Sequence, residues 1–559
     1  MGPMSPEDGV ARRKQAAARP SFTRLADPWH GVSLGGWLLL EPGPSDPLFE
    51  RHPNPEDEEE ARCEWDLMQI LRGTLGDKGA HEVIQEHRES HVTKEDFRRI
   101  RACGLNAVRL PLGYWVVLGP NPGDPYVGPG LEFIDRALDW AEEFGLQVVL
   151  DLHGCPGGES GEAPCGRRQR PHGTWRWQNW DMDQSIRALQ VLCQRYSSRQ
   201  CVTGVAVCNE PSNETPLTRL CTYYGRAIET IRQCGMQADR VAAILPVFQR
   251  PEDKFARKWK AMFGDMHKNF CFDVHCYHCF ENEFNGKTFA QQLRHVDSNR
   301  KMLQDYPMVV GEWSLSLGQA TWATCGKMTD ADVYEVFGRA QMAAFREASH
   351  GHFFWNWTER PDSIEWNFQL AYAKGCFSGP PLQMPAWSGQ GEDPLEKYCN
   401  PAPYQDSRIF YGEKVCLRVF YGRYVDVWGP YVNAQWPDKG AWQSFAFCPA
   451  TGGRSSTGGR REIRHGDIVY LRANNGRYLS VGPDRVVEAS KAAQPSGRFI
   501  VHLSNGAGAL QHRGVVYLQS KSTKTMLDAD DAQDGIFARY CDFGDWQQFA
   551  VEKVPQQVC

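Results

Sequence analysis

Between Trp29 and Gly375 the chain alternates short apolar runs with amphipathic stretches of helical period, and it does so eight times. The runs begin near Gly31–Leu34, Ala107–Leu112, Gln147–Leu152, Val202–Cys208, Ala242–Val247, Phe270–Tyr277, Met308–Ser314 and His352–Trp357. Helical candidates lie between them at Lys94–Cys103, Leu131–Phe144, Asp183–Tyr196, Pro216–Gln233, Phe289–Gln304 and Asp330–Ala348. Strands that are apolar along their whole length belong in a parallel sheet buried on both faces, with the intervening helices as its cover. Eight such units in one stretch are the number that closes the sheet on itself. The expected fold is α/β, a (β/α)8 TIM barrel. Such a barrel takes roughly 250 residues, so a chain of 559 residues has room for a second domain.

The rest of the chain divides accordingly. Residues 1–28 read as a disordered N-terminal segment, 29–375 as the barrel, 376–410 as a Gly- and Pro-rich linker, and 411–559 as a smaller all-β domain. That last part is repetitive. Leu417-Arg-Val-Phe-Tyr-Gly-Arg-Tyr424 is similar to Leu471-Arg-Ala-Asn-Asn-Gly-Arg-Tyr478, and a weaker copy begins at Leu518. Each copy closes on a similar strand: Trp442-Gln-Ser-Phe445, Gly497-Arg-Phe499 and Trp546-Gln-Gln-Phe549. Three β-rich copies, each able to bury its apolar face only against the other two, predict a β-trefoil.

In a barrel of this kind reactive side chains stand at the C-terminal ends of the strands. The fourth run ends Asn209-Glu210-Pro211 and the seventh ends Gly311-Glu312-Trp313-Ser314. One buried carboxylate at a strand end has a bland explanation in an ion pair. Two that face one cavity point to use, because burying unpaired charge is costly. Glycoside hydrolysis needs such a pair, one to protonate the leaving oxygen and one to attack the anomeric carbon or activate water.

At these residues the chain resembles glycoside hydrolase family 5, and within it the exo-β-1,3-glucanase-like branch. Gly31-Val-Ser-Leu-Gly-Gly-Trp-Leu-Leu-Leu-Glu41-Pro42 is similar to that branch's opening motif, Asn106-Ala-Val-Arg109 to its second strand, and Asp151-Leu-His153-Gly to its third. Asn209-Glu210-Pro211, His275-Cys-Tyr277, Gly311-Glu312-Trp313-Ser314 and Phe353-Phe-Trp355-Asn-Trp357 follow in the same order. The resemblance implies a retaining β-glycosidase acting on β-1,3-glucan or related β-glucosides, with Glu210 as general acid/base and Glu312 as nucleophile. It further implies that Asn209 meets the sugar 2-hydroxyl and that Arg109 and Tyr277 aim Glu312. His153, His275 and Glu41 would line the sugar subsite, with Trp357 and Trp355 stacking beneath the ring. A carbohydrate-binding protein without catalysis and a transglycosylase are the alternatives. The family pattern fails in the loop after the third strand, where Ala163 and Pro164 stand at the place of an Asp-Asn pair that holds the terminal sugar. Glu159, Glu162, Trp175, Trp177 and Trp180 are candidates to grasp a different sugar or aglycone there. The C-terminal repeats resemble fascin-like trefoils and lack the Gln-x-Trp signature of ricin-type lectins, so a spacer or interaction module, a sugar binder and an actin binder all stay open, and the trefoil's partner is unknown.

No metal or organic cofactor is expected. Cys271, His275, Cys276, His278 and Cys279 are dense in metal-binding types, but neighbours on an extended strand point to opposite faces. A net charge of −6 gives no reason to expect nucleic acid as partner. No apolar run is long enough for a signal peptide or a membrane span, and nineteen scattered cysteines suit reduced thiols. The expected location is the cytoplasm, with secretion by a non-classical route as the alternative. Asn213-Glu-Thr215 and Asn356-Trp-Thr358 match the glycosylation pattern but are not expected to be used. The acidic run from Glu56 reads as a solvated helix start.

Overall fold

The structure is a computed structural model. It describes residues 25–52, 61–169, 174–280, 284, 286–322, 324–325, 328–361, 363–378, 382, 384–387, 389–391, 393–399, 407–420, 423–436, 443–450, 461–529 and 535–554. Most of the expected N-terminal segment, residues 1–24, and the acidic run from Glu56 therefore lie outside the described residues.

Eight parallel strands close into a barrel: β1 (Trp29–Ser33), β2 (Ala107–Gly113), β3 (Gln147–Gly154), β4 (Val202–Ala206), β5 (Ala242–Pro246), β6 (Phe270–His278), β7 (Met308–Leu317) and β8 (Gly351–Phe354). The closing pair is β1 with β8, Gly31 facing Phe353. Helices cover the outside, and several start where the sequence supplies both halves of a capping box: Thr93 with Asp96, Thr288 with Gln291, and Thr329 with Asp332. The span Glu64–Ser90, between β1 and β2, is helical on either side of a kink at Gly76 and follows the acidic run read as a helix start. Its apolar positions Leu67, Met68, Leu71, Ala80 and Ile84 are buried in the shared outer core.

The barrel interior is stacked in layers. Trp29, Ala107, Val149, Ala206, Ala242, Ile244, Cys271, Val309 and Phe353 form an apolar plug. Because side chains on a strand recur on the same face every second residue, the next inward position above Ala107 is Arg109, above Val149 is Asp151, and above Cys271 is Asp273. All three are buried. A charged layer thus sits on an apolar floor, at the C-terminal end of the barrel strands.

The C-terminal part is all-β. Six strands form a closed antiparallel ring: β9 (Lys414–Val419), β12 (Phe445–Pro449), β13 (Ile468–Ala473), β16 (Phe499–Leu503), β17 (Gly514–Ser520) and β20 (Phe549–Lys553). Three hairpins accompany it: β10 (Tyr424–Trp428) with β11 (Tyr431–Trp436), β14 (Tyr478–Val481) with β15 (Val487–Ser490), and β18 (Asp528–Ala529) with β19 (Ile536–Phe537). The repeat-equivalent residues Leu417, Leu471 and Leu518, and likewise Phe445, Phe499 and Phe549, all enter one core. The ring touches the barrel where Arg513 pairs with Asp330 at 3.0 Å and the Arg418 guanidinium lies 5.0 Å from the Trp322 ring. Among the described residues no helix is long and apolar enough to cross a membrane, and the described cysteines are free thiols.

Candidate active site

At the C-terminal end of the barrel a cavity of about 1210 Å³ opens, lined by Glu41, His153, Asn209, Glu210, His275, Tyr277, Glu312 and Trp355 among others. The charged layer holds these side chains in place. Arg109 donates to Glu312 Oε1 at 2.7 Å and to Asn209 Oδ1 at 2.9 Å, and lies 3.0 Å from Asp151 Oδ2. With its carbonyl oxygen taken, Asn209 keeps its amide N–H2 for a ligand. Tyr277 donates to the other oxygen of Glu312 at 2.7 Å. Asp151 Oδ2 is 2.7 Å from His153 Nδ1, which leaves His153 Nε2 directed toward Glu41, 3.8 Å away, and the imidazole stacked on Trp355.

Glu312 faces this cavity because β7 breaks its own alternation. Inward positions Val309 and Gly311 would be followed by Trp313, but the pairing register shifts between Val310 and Trp313 against β8 and between Val274 and His275 against β6. The irregularity turns Glu312 inward and sends Trp313 to the outer core. Gly311 is required at that point. A Cβ there would lie within van der Waals overlap of Asp273, whose Oδ1 accepts the Gly311 N–H at 2.8 Å.

Between the two glutamates stands His275. Its Nδ1 is 2.6 Å from Glu210 Oε1 and 3.3 Å from Glu312 Oε2, and the three groups have ligand atoms all within 4.8 Å of one another. Such a trio could hold a cation, but the imidazole is already engaged with both carboxyls. Burial alone would raise the Glu312 carboxyl; the His275 and Arg109 cations and the Tyr277 phenol outweigh it and hold it at about 2. Burial opposes charge on His275, yet Glu312, Asp273 and Glu210 raise it well above the usual histidine value. Burial, then Glu312 and Glu210, push Glu41 well above the usual carboxylate range. Glu312 is thus favoured in its charged form, while Glu41 is pushed the other way.

Of the residues expected at the site, Glu41, Arg109, His153, Asn209, Glu210, His275, Tyr277, Glu312 and Trp355 are brought together. Trp357 is not. Strand β8 ends at Phe354, and although the Trp357 N–H still donates to the Ser33 carbonyl at 3.0 Å, its side chain packs on Phe368 and donates to Asp96 at 3.0 Å. In the loop after β3, Pro164 lines the cavity, but Glu159 and two of the tryptophans serve the loop itself. Glu159 accepts the Cys155 N–H, Trp175 donates to the Gly158 carbonyl, and Trp180 donates to Ser185. Asp151 and Asp273, each two residues before a site histidine on the same strand face, were legible in that spacing and were not singled out. Phe248, Phe280 and Trp366, which complete the walls, lie in loops without periodicity and carried no such signal.

Comparison with known proteins agrees with this geometry. Residues 78–361 match the family described as Cellulase (glycosyl hydrolase family 5). The chain belongs to glycosyl hydrolase family 5. As a family 5 member it is a glycoside hydrolase. It is 31% identical over 424 residues to the probable glucan 1,3-beta-glucosidase A of Emericella nidulans, covering 68% of this chain and 97% of that protein. The corresponding protein of Aspergillus clavatus is 29% identical, with 67% of this chain and 93% of that one covered. The family 5 fold is shared with the crystal structure of rutinosidase from Aspergillus niger, with a TM-score of 0.50 at 17% identity over 64% of this chain and all of that one (100%). These relatives correct one expectation. Fungal glucan 1,3-beta-glucosidases are typically secreted, extracellular enzymes, so the cytoplasmic placement does not stand.

Proposed function

We propose that the chain hydrolyses β-glucosidic bonds, in β-1,3-glucan or related β-glucosides, by double displacement at Glu210 and Glu312. The observation that carries this reading is the spacing of the two carboxyls. An oxygen of each lies within 4.8 Å of the other, with His275 between them. Retaining glycosidases hold the pair about 5–5.5 Å apart, while inverting ones leave about 6.5–9.5 Å for a water.

In the first step Glu312, aimed through Arg109 and Tyr277, forms a bond to the anomeric carbon as the glycosidic C–O bond breaks. The departing oxygen takes the proton of Glu210. In the second step Glu210 accepts a proton from water as that water displaces Glu312. Asn209 meets the 2-hydroxyl through its free N–H2, and Trp355, stacked on His153, is the platform beneath the ring. Pro164 cannot hydrogen-bond a terminal sugar through its side chain, which favours tolerance of substituted or non-glucose termini. The fungal glucan 1,3-beta-glucosidase relatives support the β-glucan side of this reading.

The C-terminal ring with its three hairpins reads as a β-trefoil of the fascin-like kind, and its threefold Leu and Phe positions support that. The division into a barrel at 29–375, a linker at 376–410 and a trefoil at 411–559 goes with it; the trefoil then matters only for polymeric or anchored substrates. The deciding experiment is stereochemical. Glu312→Gly with azide should yield the inverted glycosyl azide, and Glu210→Ala with azide the retained one. The opposite pattern overturns the assignment of roles.

A further inference from the structure

The acid/base Glu210 is followed by Pro211 and Ser212, outside any strand or helix, so the carboxyl needs something other than sheet pairing to hold its backbone. The structure supplies it from the neighbouring loop. Arg250, in the loop after β5, sends Nη1 to the Pro211 carbonyl at 2.8 Å and to the Phe248 carbonyl at 3.0 Å. Its Nη2 donates to the carbonyls of Ser212 and Thr215, the latter at 3.2 Å. Among the described residues Arg250 pairs with no carboxylate; every hydrogen bond of its fork goes to a backbone carbonyl.

The arrangement is specific. A planar guanidinium with donors on two nitrogens can bridge four carbonyls on two loops, whereas a lysine ammonium, a single nitrogen, cannot. The preceding residue, Gln249, sits at φ 53°, left-handed backbone unusual for a residue with a side chain. That turn is retained where it brings Arg250 back over the β4 loop. From the other side Ser212 donates to the Glu159 carbonyl at 3.1 Å, so the segment after Glu210 is gripped at both its N–H and its C=O. Phe248, whose carbonyl shares the fork, places its ring 6.1 Å from His275, the partner of Glu210.

We infer that Arg250 is a positioning residue for proton transfer by Glu210, a clamp that fixes the acid/base against the leaving oxygen. The inference rests on the reading of Glu210 as acid/base. It predicts a loss confined to substrates that need the proton. A displacement of about 1 Å in a reacting group costs on the order of a hundredfold, and general acid catalysis as a whole contributes about 10²–10⁴.

The test uses the full chain with two substrates, phenyl β-glucoside, whose leaving group needs protonation, and 2,4-dinitrophenyl β-glucoside, whose leaving group does not. Arg250→Ala should lower kcat/KM on the phenyl glucoside by roughly 10–100-fold and leave the dinitrophenyl glucoside within about threefold of wild type. Arg250→Lys, which keeps the charge but not the fork, should show the same split in smaller measure, and it carries the test if the alanine variant does not fold. Equal losses on both substrates would mean that Arg250 only maintains the fold, and no loss on either would mean that the clamp is idle; each result overturns the inference. Glu210→Ala in the same assay separates the two readings. If it shows no split, the assignment of Glu210 fails, whatever Arg250 does.

Discussion

Replacing Tyr277 by Phe removes one hydroxyl and leaves the rest of the wall in place. The phenol donates to Glu312 Oε2 at 2.7 Å, while its ring packs 5.3 Å from Trp366 and 5.4 Å from Phe280, contacts that phenylalanine keeps. Glu312 retains Arg109 on Oε1 at 2.7 Å and His275 on Oε2 at 3.3 Å, so it stays ionised but loses its closest partner on the attacking side. A hydrogen bond to a charged acceptor contributes about 1.5–3 kcal/mol, or roughly 10–150-fold in rate if it is felt in the transition state. The expected result is a fall of that size in kcat for an aryl β-glucoside, with KM little changed. The pH profile adds a second readout. Glu312 is held at about 2, below the ordinary value of 4.5, partly by this phenol, so its loss raises the value and moves the acid limb of kcat/KM to higher pH. The linkage has the same sign. Glu312 contributes stability that is complete above about 4.5 and lost as pH falls toward about 2, and the variant narrows that window. A Tyr277→Phe enzyme with wild-type kcat and an unmoved acid limb would refute the aiming role.

Three further outcomes are expected. Burial holds the Glu159 carboxyl up at about 8, so between the ordinary 4.5 and 8 the folded state loses stability relative to an unfolded chain that ionises freely; Glu159→Gln should raise the melting temperature at pH 8 and leave it unchanged near pH 4, and equal melting at both would show that this carboxyl is not buried as described. Because His275 is held as a cation 2.6 Å from Glu210, His275→Gln removes a charge that favours loss of the acid's proton and should move the alkaline limb of kcat/KM to higher pH, and an unmoved limb would mean that His275 does not act on the group titrating there. A chain ending near Gly389 should fold and still cleave an aryl β-glucoside, since every proposed site residue precedes Cys376; a folded but inactive product would show that the contacts at Trp322 and Asp330 support the site.

The barrel was legible because its strands are apolar on both faces, and the charged layer because Asp151 with His153, and Asp273 with His275 and Tyr277, obey the two-residue period of a strand. That same period misplaces what mattered most. Carried through β7 it would point Trp313 inward and Glu312 out, and only the register shift after Val310 reverses them. Carried through β8 it would bring Trp357 under the sugar, but the strand ends at Phe354 and Trp357 packs away on Phe368 and Asp96. Bulges and strand ends depend on the neighbouring strands, and no window of sequence shows them. The repeats in the C-terminal part were legible for the opposite reason: Leu417, Leu471 and Leu518 repeat because they share one core.

The electrostatic design of the site explains why so many ionisable groups can be buried together. Two carboxylates, Asp151 and Glu312, flank Arg109, and a third, Asp273, lies near it; three carboxyls, Glu210, Glu312 and Asp273, surround His275. Two cations cannot neutralise that many acids if all are ionised. Burial, with Glu312 and Glu210 nearby, raises Glu41 well above the usual carboxylate range, more than Arg109 lowers it. Glu312, held on both oxygens, is driven the other way. The surroundings thus push Glu41 and Glu312 in opposite directions within one cavity. Arg109 lies beneath the cavity, where it touches Glu312 and the Asn209 that precedes Glu210.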